Sequence, residues 1–308
     1  MSTNEKSTLL RCHICACCGV PRQNKVGGAL LFISMRKFII YLFALFTFLF
    51  VLAPFGAAQQ TIKLERFRKA LWKIHVTVKG KEGDFLFDTG GGQTHFTDEF
   101  LSGIDCKFWG RGTGYNMFGQ KGDGPHCDDV QITAGDVALV PVSIGKINFE
   151  GQFPGDKAPD GLLALDAFDG MVITIDQKAA TLTIETEKSL KKRIRSMREF
   201  PFRLARECSG RCLSAFLGVK TPNGMTWMNL DTGAGGVSLI AKEYASSLGL
   251  DPNKKEQEIN FRLSPEVAIT GPVFVADLIM DGNLGRPFLS NYIVTLDLNT
   301  GRIWIASK

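Results

Sequence analysis

Two copies of one short motif are the residues of this sequence whose types and spacing point most directly to chemistry. The copies are Asp88-Thr89-Gly90 and Asp231-Thr232-Gly233, and each follows an apolar stretch typical of a strand. A single triplet would be weak evidence, because a chain of this length contains one by chance in on the order of a few per cent of cases. Two triplets at the same place in a duplicated sequence predict one site with two carboxyl groups.

The chemistry of such a site follows from its symmetry. A twofold axis between the halves of the chain would bring Asp88 and Asp231 face to face. Two carboxylates about 3 Å apart do not both ionise easily, so the pair shares one proton and titrates as a unit. The ionised member can take a proton from water, while the protonated member hydrogen-bonds a substrate carbonyl oxygen. Water can then add to an amide, and a proton returns to the leaving amine, without a metal, a cofactor or a covalent intermediate.

The other residues of the triplets are expected to support this pair. Gly90 and Gly233 let the chain turn tightly, and the hydroxyl groups of Thr89 and Thr232 can tie the two loops together. The histidines beyond residue 58 have no spacing typical of metal ligands, so we predict no metal site. They are His75, His95 and His126.

An internal duplication must supply the elements that position the triplets. Residues 160–184 align without a gap with residues 281–305 at an offset of 121, and residues 76–92 align with residues 219–235 at an offset of 143. The first half is therefore 22 residues longer between its matched segments, and the Gly-rich stretch 106–127 is where we expect the extra residues. Two halves of ordinary domain size predict two lobes.

Short runs rich in Val, Ile, Thr and Phe alternate with Gly, Asp, Asn and Pro, which predicts an all-β fold. Phe85–Phe87 and Met228–Leu230 are the strands expected to deliver the triplets. A helix is predicted over 241–248, with Gly249 as its C-cap. The basic stretch 187–198 is read as a solvated linker or short helix between the halves. Other predicted strands are Ile74–Val78, Asp84–Phe87, Val130–Thr133, Val172–Ile175 and Ile293–Leu296.

The two triplets and the apolar segments that follow them resemble the aspartic proteases of the pepsin and retropepsin type. The resemblance covers Ile74 to Ile305, with local sequence similar to retropepsin-like bacterial enzymes and two fused halves similar to pepsin. It implies a bilobal, pepsin-like fold of two related retropepsin-like β-barrel lobes, 59–190 and 191–308, with the active site between them. It also implies that Asp88 and Asp231 are catalytic in a peptide hydrolase.

The sequence departs from the family in the apolar-apolar-Gly element that packs beneath each catalytic loop. In the second half Leu284-Gly285 fits, but Asn283 replaces the first apolar residue. In the first half Leu162-Leu163-Ala164 has Ala where Gly is usual. Ser or Thr usually follows the triplet in pepsins, whereas Gly91 and Ala234 follow it here. Losing that donor should leave the pair less acidic, so we predict an activity optimum in mildly acidic solution.

A flap over the cleft is a further feature that the resemblance implies. Members of the family cover the cleft with a hairpin flap that often carries a Tyr, and residues 111–119 with Tyr115 are the candidate flap; a plain surface loop is the alternative.

Export would permit disulfides, and the even number of cysteines in each half favours Cys106–Cys127 and Cys208–Cys212 over pairings that cross the halves.

The first 58 residues read as a targeting segment. Residues 38–53 form an uncharged apolar run, preceded by Arg36 and Lys37 and followed by small residues up to Ala58. This order is typical of a secretory signal peptide cleaved after Ala58, and an uncleaved membrane anchor is the alternative. Either one would place the remainder outside the cytoplasm, in the periplasm or secreted.

Met35 begins a complete targeting segment by itself. Residues 35–58 are therefore interpreted as the signal peptide or anchor, and residues 1–34 as a leader or a mis-assigned start. Four cysteines and a histidine of this leader fit no complete zinc pattern. They are Cys12, His13, Cys15, Cys17 and Cys18.

The charge distribution argues against a nucleic-acid partner. The chain has 36 Lys and Arg against 31 Asp and Glu, a net charge of +5, and the first 58 residues hold six of the former and one of the latter. The remaining body is neutral, with 30 of each sign, and has no basic excess for a polyanion. We expect a monomer that acts on polypeptides and meets a membrane only through residues 38–58, if these stay uncleaved.

The main alternative is a non-catalytic pepsin-like protein that binds peptides, proteins or glycans in its cleft. Such proteins usually lose a catalytic Asp, and both are present here. A membrane-tethered processing protease would differ in role rather than in chemistry.

Overall fold

The fold was analysed in a computed structural model that describes residues 58–68 and 70–307. Strands account for 47% and helices for 13% of this structure, and its longest helix has seven residues. The predicted all-β class is therefore confirmed. The proposed leader and signal segments, residues 1–34 and 35–58, lie almost wholly outside the described residues. No helix within the described part is long and apolar enough to cross a membrane.

Thirteen strands come from the first half of the chain and ten from the second. The first set is β1 (Gln60–Lys63), β2 (Glu65–Phe67), β3 (Leu71–Val78), β4 (Lys81–Phe87), β5 (His95–Phe96), β6 (Trp109–Tyr115), β7 (Lys121–Asp128), β8 (Ile132–Ala134), β9 (Val137–Leu139), β10 (Ser143–Lys146), β11 (Gly161–Leu163), β12 (Val172–Asp176) and β13 (Thr181–Ile184). The second set is β14 (Arg198–Phe200), β15 (Phe202–Ala205), β16 (Ser214–Thr221), β17 (Gly224–Leu230), β18 (Ser238–Ala241), β19 (Glu256–Arg262), β20 (Ala268–Ala276), β21 (Gly282–Leu284), β22 (Tyr292–Asp297) and β23 (Arg302–Ser307).

The helices of the described residues are short. The α-helices are α1 (Asp98–Leu101), α2 (Glu187–Arg193), α3 (Lys242–Ala245) and α4 (Arg286–Leu289). Turns of 3₁₀-helix span Leu165–Phe168, Ile194–Ser196, Cys208–Gly210 and Ser246–Leu248. The predicted helix over 241–248 is thus confirmed as α3 with its 3₁₀ continuation, and Gly249 ends it in the left-handed region at φ 77°. The basic stretch that begins at Glu187 forms α2, as one of its two interpretations expected.

Each half of the chain builds one sheet, and a third sheet joins the halves. In the first half, ten strands form a sheet ordered β6-β7-β10-β5-β11-β4-β3-β8-β9, with β2 beside β3. In the second half, seven strands are ordered β15-β16-β17-β21-β18-β20-β19. The joining sheet is ordered β1-β13-β12-β22-β23-β14, so three of its strands come from each half.

The joining sheet is symmetric about its centre. Strands β12 and β22 pair antiparallel with Thr174 opposite Thr295, which are equivalent residues at the offset of 121. Their hydroxyl oxygens lie 2.8 Å apart in a buried hydrogen bond. On either side Ile173 faces Leu296 and Ile175 faces Val294. At the same offset Ile173 is equivalent to Val294 and Ile175 to Leu296, so exchanging the halves turns one pair into the other. The duplicated segments therefore meet at a local twofold axis.

Close packing explains the Asp-Gly pair that opens each repeated segment. A Cβ atom on Gly161 would lie 2.3 Å from the Phe85 ring, and one on Gly282 would lie 2.4 Å from Met228 Sδ. The preceding carboxylates are also equivalent: Asp160 Oδ2 accepts a hydrogen bond from the neighbouring strand at 2.8 Å and Asp281 Oδ2 does so at 2.7 Å. Strands β11 and β21 can therefore lie close beside β4 and β17.

The predicted strands are found with small shifts at their ends. The strand predicted over Val130–Thr133 begins at Ile132 instead. Asp129 has a φ of 58°, and this left-handed residue makes a turn that delays the strand. Both predicted disulfides are present, Cys106–Cys127 and Cys208–Cys212, and they fit an oxidising compartment.

Candidate active site

The two triplets occupy equivalent places at the ends of equivalent strands. Strand β4 ends at Phe87 and β17 ends at Leu230, so each Asp is the first residue after its strand. Strand β4 pairs parallel with β11, and β17 pairs parallel with β21. The backbone N–H of Asp88 donates to the carbonyl of Leu163 at 3.0 Å, and that of Asp231 donates to Leu284 at 3.0 Å. The repeated apolar segment therefore holds each loop from one side, as expected.

The two threonines cross-link the loops through reciprocal hydrogen bonds. The Thr89 N–H donates to Thr232 Oγ1 at 3.0 Å, and the Thr232 N–H donates to Thr89 Oγ1 at 3.0 Å. Each hydroxyl then donates to the carbonyl of the opposite strand, that of Leu230 at 2.6 Å and that of Phe87 at 2.8 Å. All four bonds are buried, so the predicted tie between the loops is present.

The two glycines make room for the opposite carboxyl groups. A Cβ atom on Gly90 would lie 2.4 Å from Asp231 Cγ, and one on Gly233 would lie 2.4 Å from Asp88 Cγ. Neither glycine has a positive φ, so the tight turn expected from the sequence is not what requires glycine here. The requirement is steric, because each loop presses its backbone against the carboxyl group of the other. The triplets thus bring Asp88 and Asp231 together across the local twofold axis.

The two carboxyl groups differ in environment. Asp231 is 5% exposed, whereas Asp88 is half-buried. Loss of water around the Asp88 carboxyl raises its pKa well above the usual value, and the nearby charge and hydrogen bond of Asp231 raise it further. The N–H groups of Gly90 and Gly91 lower the pKa of Asp88, but by less. Asp88 is therefore suited to hold a proton in mildly acidic solution.

Asn283 is a site residue whose role the sequence analysis missed. It is fully buried on β21, and its Nδ2 donates to Asp231 Oδ2 at 2.6 Å. In the sequence this Asn is only a departure from an apolar position. A signal was available, because the matched residue of the first half is Leu162 and an amide is costly to bury unless it is bonded.

Asp231 receives a side-chain donor from its own half, whereas the donors to Asp88 from its own half are backbone N–H groups. In the second half the backbone N–H groups of Gly233 and Ala234 donate to Asp231 Oδ1 at 2.7 and 3.0 Å, in addition to Asn283. The Asn283 side chain is thus a donor to Asp231 that the residues after the triplet do not supply. In the first half the Gly90 N–H donates to Asp88 Oδ1 at 2.9 Å, and the Gly91 N–H also acts on the Asp88 carboxyl group.

The candidate flap is a hairpin whose tip reaches the second half. Strands β6 and β7 pair antiparallel, and Tyr115 lies at the end of β6 with 63% of its surface exposed. Met117, in the turn, contacts Asn283, the residue that bonds Asp231. Its Sδ lies 3.8 Å from Asn283 Nδ2, and its carbonyl accepts a hydrogen bond from the Ile279 N–H at 3.0 Å.

The disulfides brace the hairpin and its surroundings. Cys106–Cys127 ties the end of β7 to the segment that leads into β6. Cys208–Cys212 closes a short loop of the second half. A Cβ atom on Gly114 of the hairpin would lie 3.7 Å from Cys208 Sγ, and one on Gly92 would lie 3.6 Å from Cys212 Cβ.

Asp166 is another buried carboxyl group of the first half. Asp166 is 4% exposed and accepts hydrogen bonds from Thr94 N at 3.0 Å and Thr94 Oγ1 at 2.7 Å. Burial raises the pKa of Asp166 to about 7. The matched residue in the second half is Pro287, so this carboxyl group belongs to one half alone.

A surface cavity and three histidines are further concave or ligand-type features of the structure. A surface cavity of about 460 Å³ is lined by residues 97–99 and 147–160, with some gaps, and by neither Asp88 nor Asp231. Within the described residues, no cluster of His, Cys, Asp and Glu side chains could hold a metal ion. His126 is buried with neither ring nitrogen bonded, His75 lies beside Asp84, and His95 bonds the carbonyl of Gln93.

Comparison of the chain with protein-family models and with curated proteins finds no match in either.

Proposed function

We propose that this protein is an aspartic endopeptidase that hydrolyses peptide bonds with water activated by Asp88 and Asp231. The observation that carries the proposal is the reciprocal packing of the two triplets. Each glycine borders the carboxyl group of the other triplet, and each threonine bonds the other. Two carboxyl groups held this close can share one proton, which is the state that acid–base activation of water requires.

The proposed mechanism uses one ionised and one protonated carboxyl group. The ionised group removes a proton from the attacking water, and the protonated group donates to the oxygen of the scissile carbonyl. The oxygen of water bonds to the carbonyl carbon and gives a tetrahedral intermediate. The carboxyl group that took the water proton then protonates the amine, the other takes its proton back from a hydroxyl group of the intermediate, and the C–N bond breaks, which returns the pair to its starting state. The raised pKa of Asp88 keeps its proton towards neutral pH and supports the predicted mildly acidic optimum.

The proposed fold is the bilobal, pepsin-like one. The first lobe would comprise residues 59–190 and the second residues 191–308, with the cleft between them and the β6–β7 hairpin over it. Two separate sheets joined by a symmetric third sheet support this assignment. We further propose a monomer that is exported through residues 35–58 to the periplasm or beyond, which the two disulfides support.

The test is cleavage of an unfolded protein by the purified full-length chain between pH 3 and 8 (roughly the range over which carboxyl pairs titrate). We expect fragments from the parent and none from Asp88→Asn or Asp231→Asn. Asp136→Asn changes an exposed turn residue and is the matched control that should cleave like the parent. If both dyad variants cleave like the parent, the site assignment is wrong.

A parent that folds, leaves every unfolded substrate intact and binds peptides would favour the non-catalytic alternative. In that case Asp88→Asn and Asp231→Asn should leave peptide binding unchanged in calorimetry, because the binding would depend on the cleft rather than on the shared proton.

A further inference from the structure

Hydrogen bonds to the two aspartates are unequal in a way that can fix where their shared proton resides. Three groups donate to Asp231: the side chain of Asn283 at 2.6 Å and the backbone N–H groups of Gly233 and Ala234. Asp88 receives backbone N–H groups only, apart from its contact with Asp231 itself. Donors stabilise the charged form of a carboxyl group, so this pattern favours charge on Asp231.

The side-chain donor that distinguishes the second half comes from one position. Asn283 lies opposite Asn229 in the parallel pair β17–β21, and Leu162 lies opposite Leu86 in the equivalent pair β4–β11. Leu162 also borders the loop of its own triplet, because a Cβ atom on Gly91 would lie 2.6 Å from Leu162 Cδ2 and 3.4 Å from Asp88 Cγ. The two positions are thus structurally matched, and only the second half places an amide there.

The amide of Asn283 is oriented by contacts on both sides. Its Nδ2 bonds Asp231 on one side and lies 3.8 Å from Met117 Sδ of the hairpin on the other. Its Oδ1 is buried without a partner, which a leucine at this position would avoid. Leaving a buried acceptor unpaired is unfavourable, so the packing of β21 alone does not call for this residue.

The charged groups around Asp231 do not explain the asymmetry. Asp88 faces it from the opposite loop, and Asn283 and Met117 carry no charge. Arg286 begins α4 and donates its backbone N–H to the Ala234 carbonyl at 2.9 Å. Among the described residues no ion pair joins Arg286 to Asp231.

We propose that Asn283 is a positioning residue that keeps the negative charge of the pair on Asp231 and leaves the shared proton on Asp88. Asp231 would then be the group that takes a proton from water, and Asp88 the group that donates to the substrate carbonyl. The use of this charge in hydrolysis rests on the proposed function, whereas its location on Asp231 does not.

The experiment exchanges the matched residues and follows both limbs of the pH profile of kcat/KM in the full-length chain. Asn283→Leu removes a donor to charged Asp231, so we expect the acidic limb to move up by about one pH unit, or about tenfold in activity on that limb. The alkaline limb should stay, because the proton lost there leaves Asp88. Leu162→Asn, the mirror variant, should instead move the alkaline limb down.

We therefore expect the acidic limb to move in Asn283→Leu and the alkaline limb to move in Leu162→Asn. An unchanged profile in Asn283→Leu, or a movement of its alkaline limb instead of its acidic limb, would overturn the assignment. Asn283→Ala is the second variant, for use if leucine disturbs the fold as judged by circular dichroism.

A titration independent of catalysis separates this inference from the proposed function. Aspartate labelled with ¹³C at the carboxyl carbon, with Asp88→Asn and Asp231→Asn to identify the signals, gives the two steps of the pair by NMR. We expect the lower step to rise in Asn283→Leu whether or not the parent cleaves peptides. If the parent is active but the lower step does not move, the role of Asn283 is wrong and the proposed function stands. If the lower step rises in Asn283→Leu but the parent does not cleave peptides, the role of Asn283 stands and the proposed function is wrong.

Discussion

At the scale of single residues, two glycines and one asparagine set the surroundings of the carboxyl pair. Gly90 and Gly233 are needed because each faces the opposite carboxyl group. Asn283 is buried with an unpaired oxygen and bonds Asp231. Glycine in these loops and an unpaired buried oxygen are each locally unfavourable, and both are explained by the contacts that they allow with the carboxyl pair.

Replacing Gly233 by Ala tests the steric role of the triplet glycine. The added Cβ atom would lie 2.4 Å from Asp88 Cγ, so the carboxyl group must move, and a shift of this size can lower kcat/KM by ~100-fold. Steady-state kinetics measure the change. Gly236→Ala is the control, because nothing lies within 4 Å of its added atom. Equal activity of the two variants would contradict the steric explanation.

Asp166 predicts how stability depends on pH. Its folded-state pKa is raised from 3.8 to about 7, so the protein binds this proton more tightly than the unfolded chain does. Stability from this group is complete below pH 4 and falls until pH 7, by up to about 4 kcal/mol. Chemical denaturation at about pH 4, 5.5 and 7.5, which covers that window, should show a smaller fall in the free energy of unfolding for Asp166→Asn than for the parent. An identical fall in both proteins would exclude this group as a source.

At the scale of elements, the first half carries a hairpin that the duplication does not predict in detail. Strands β6 and β7 fall in the Gly-rich stretch where the sequence suggested extra residues, and their turn crosses to Ile279 of the second half. Tyr115, the expected flap residue, is exposed, and Met117 contacts Asn283. The turn is held by Asn116, whose Oδ1 accepts from the N–H groups of Phe118 and Gln120.

The two disulfides should contribute unequally to stability, because they close loops of different length. Cys106–Cys127 spans 21 residues and Cys208–Cys212 spans 4. Loop-closure entropy predicts a loss of about 3 kcal/mol for Cys106→Ser with Cys127→Ser, and about 2 kcal/mol for Cys208→Ser with Cys212→Ser. Urea denaturation of the double variants measures both losses. A larger loss for the short loop would contradict the entropic account.

At the scale of the whole molecule, the joining sheet couples the two halves. Three strands from each half form it, and Thr174 and Thr295 meet at its centre. The threonine cross-links of the triplets form a second set of hydrogen bonds between the halves. Two duplicated halves that share a sheet and exchange hydrogen bonds at the site should behave as one folding unit.

A single cooperative unfolding transition is therefore expected for residues 58–307. The four tryptophans of the chain are divided between the halves, so their fluorescence and circular dichroism should change together. Val76→Ala and Val219→Ala truncate matched core residues, 1% and 0% exposed, and both should lower the same midpoint, each by ~2 kcal/mol of stability. Two resolved transitions, each moved by one variant, would show that the halves unfold independently.

Much of this architecture could be read from the sequence because duplication repeats its constraints. Strand periodicity, the offsets of 121 and 143, and the paired triplets predicted the all-β class and the residues that meet at the site, and the even cysteine numbers predicted both disulfides. Local turn chemistry was less visible, as the late start of β8 after Asp129 shows.

The sequence alone determined which side chains could react, since the two triplets lie at equivalent points of a repeated chain. Only the tertiary structure decided how the two aspartates differ. Asn283 lies 52 residues from Asp231 and Met117 lies 166 residues from Asn283, so no local pattern connects them. Their contact depends on the parallel pairing of β17 with β21 and on the path of the hairpin. A duplicated sequence therefore predicts a symmetric pair, and long-range packing makes that pair asymmetric.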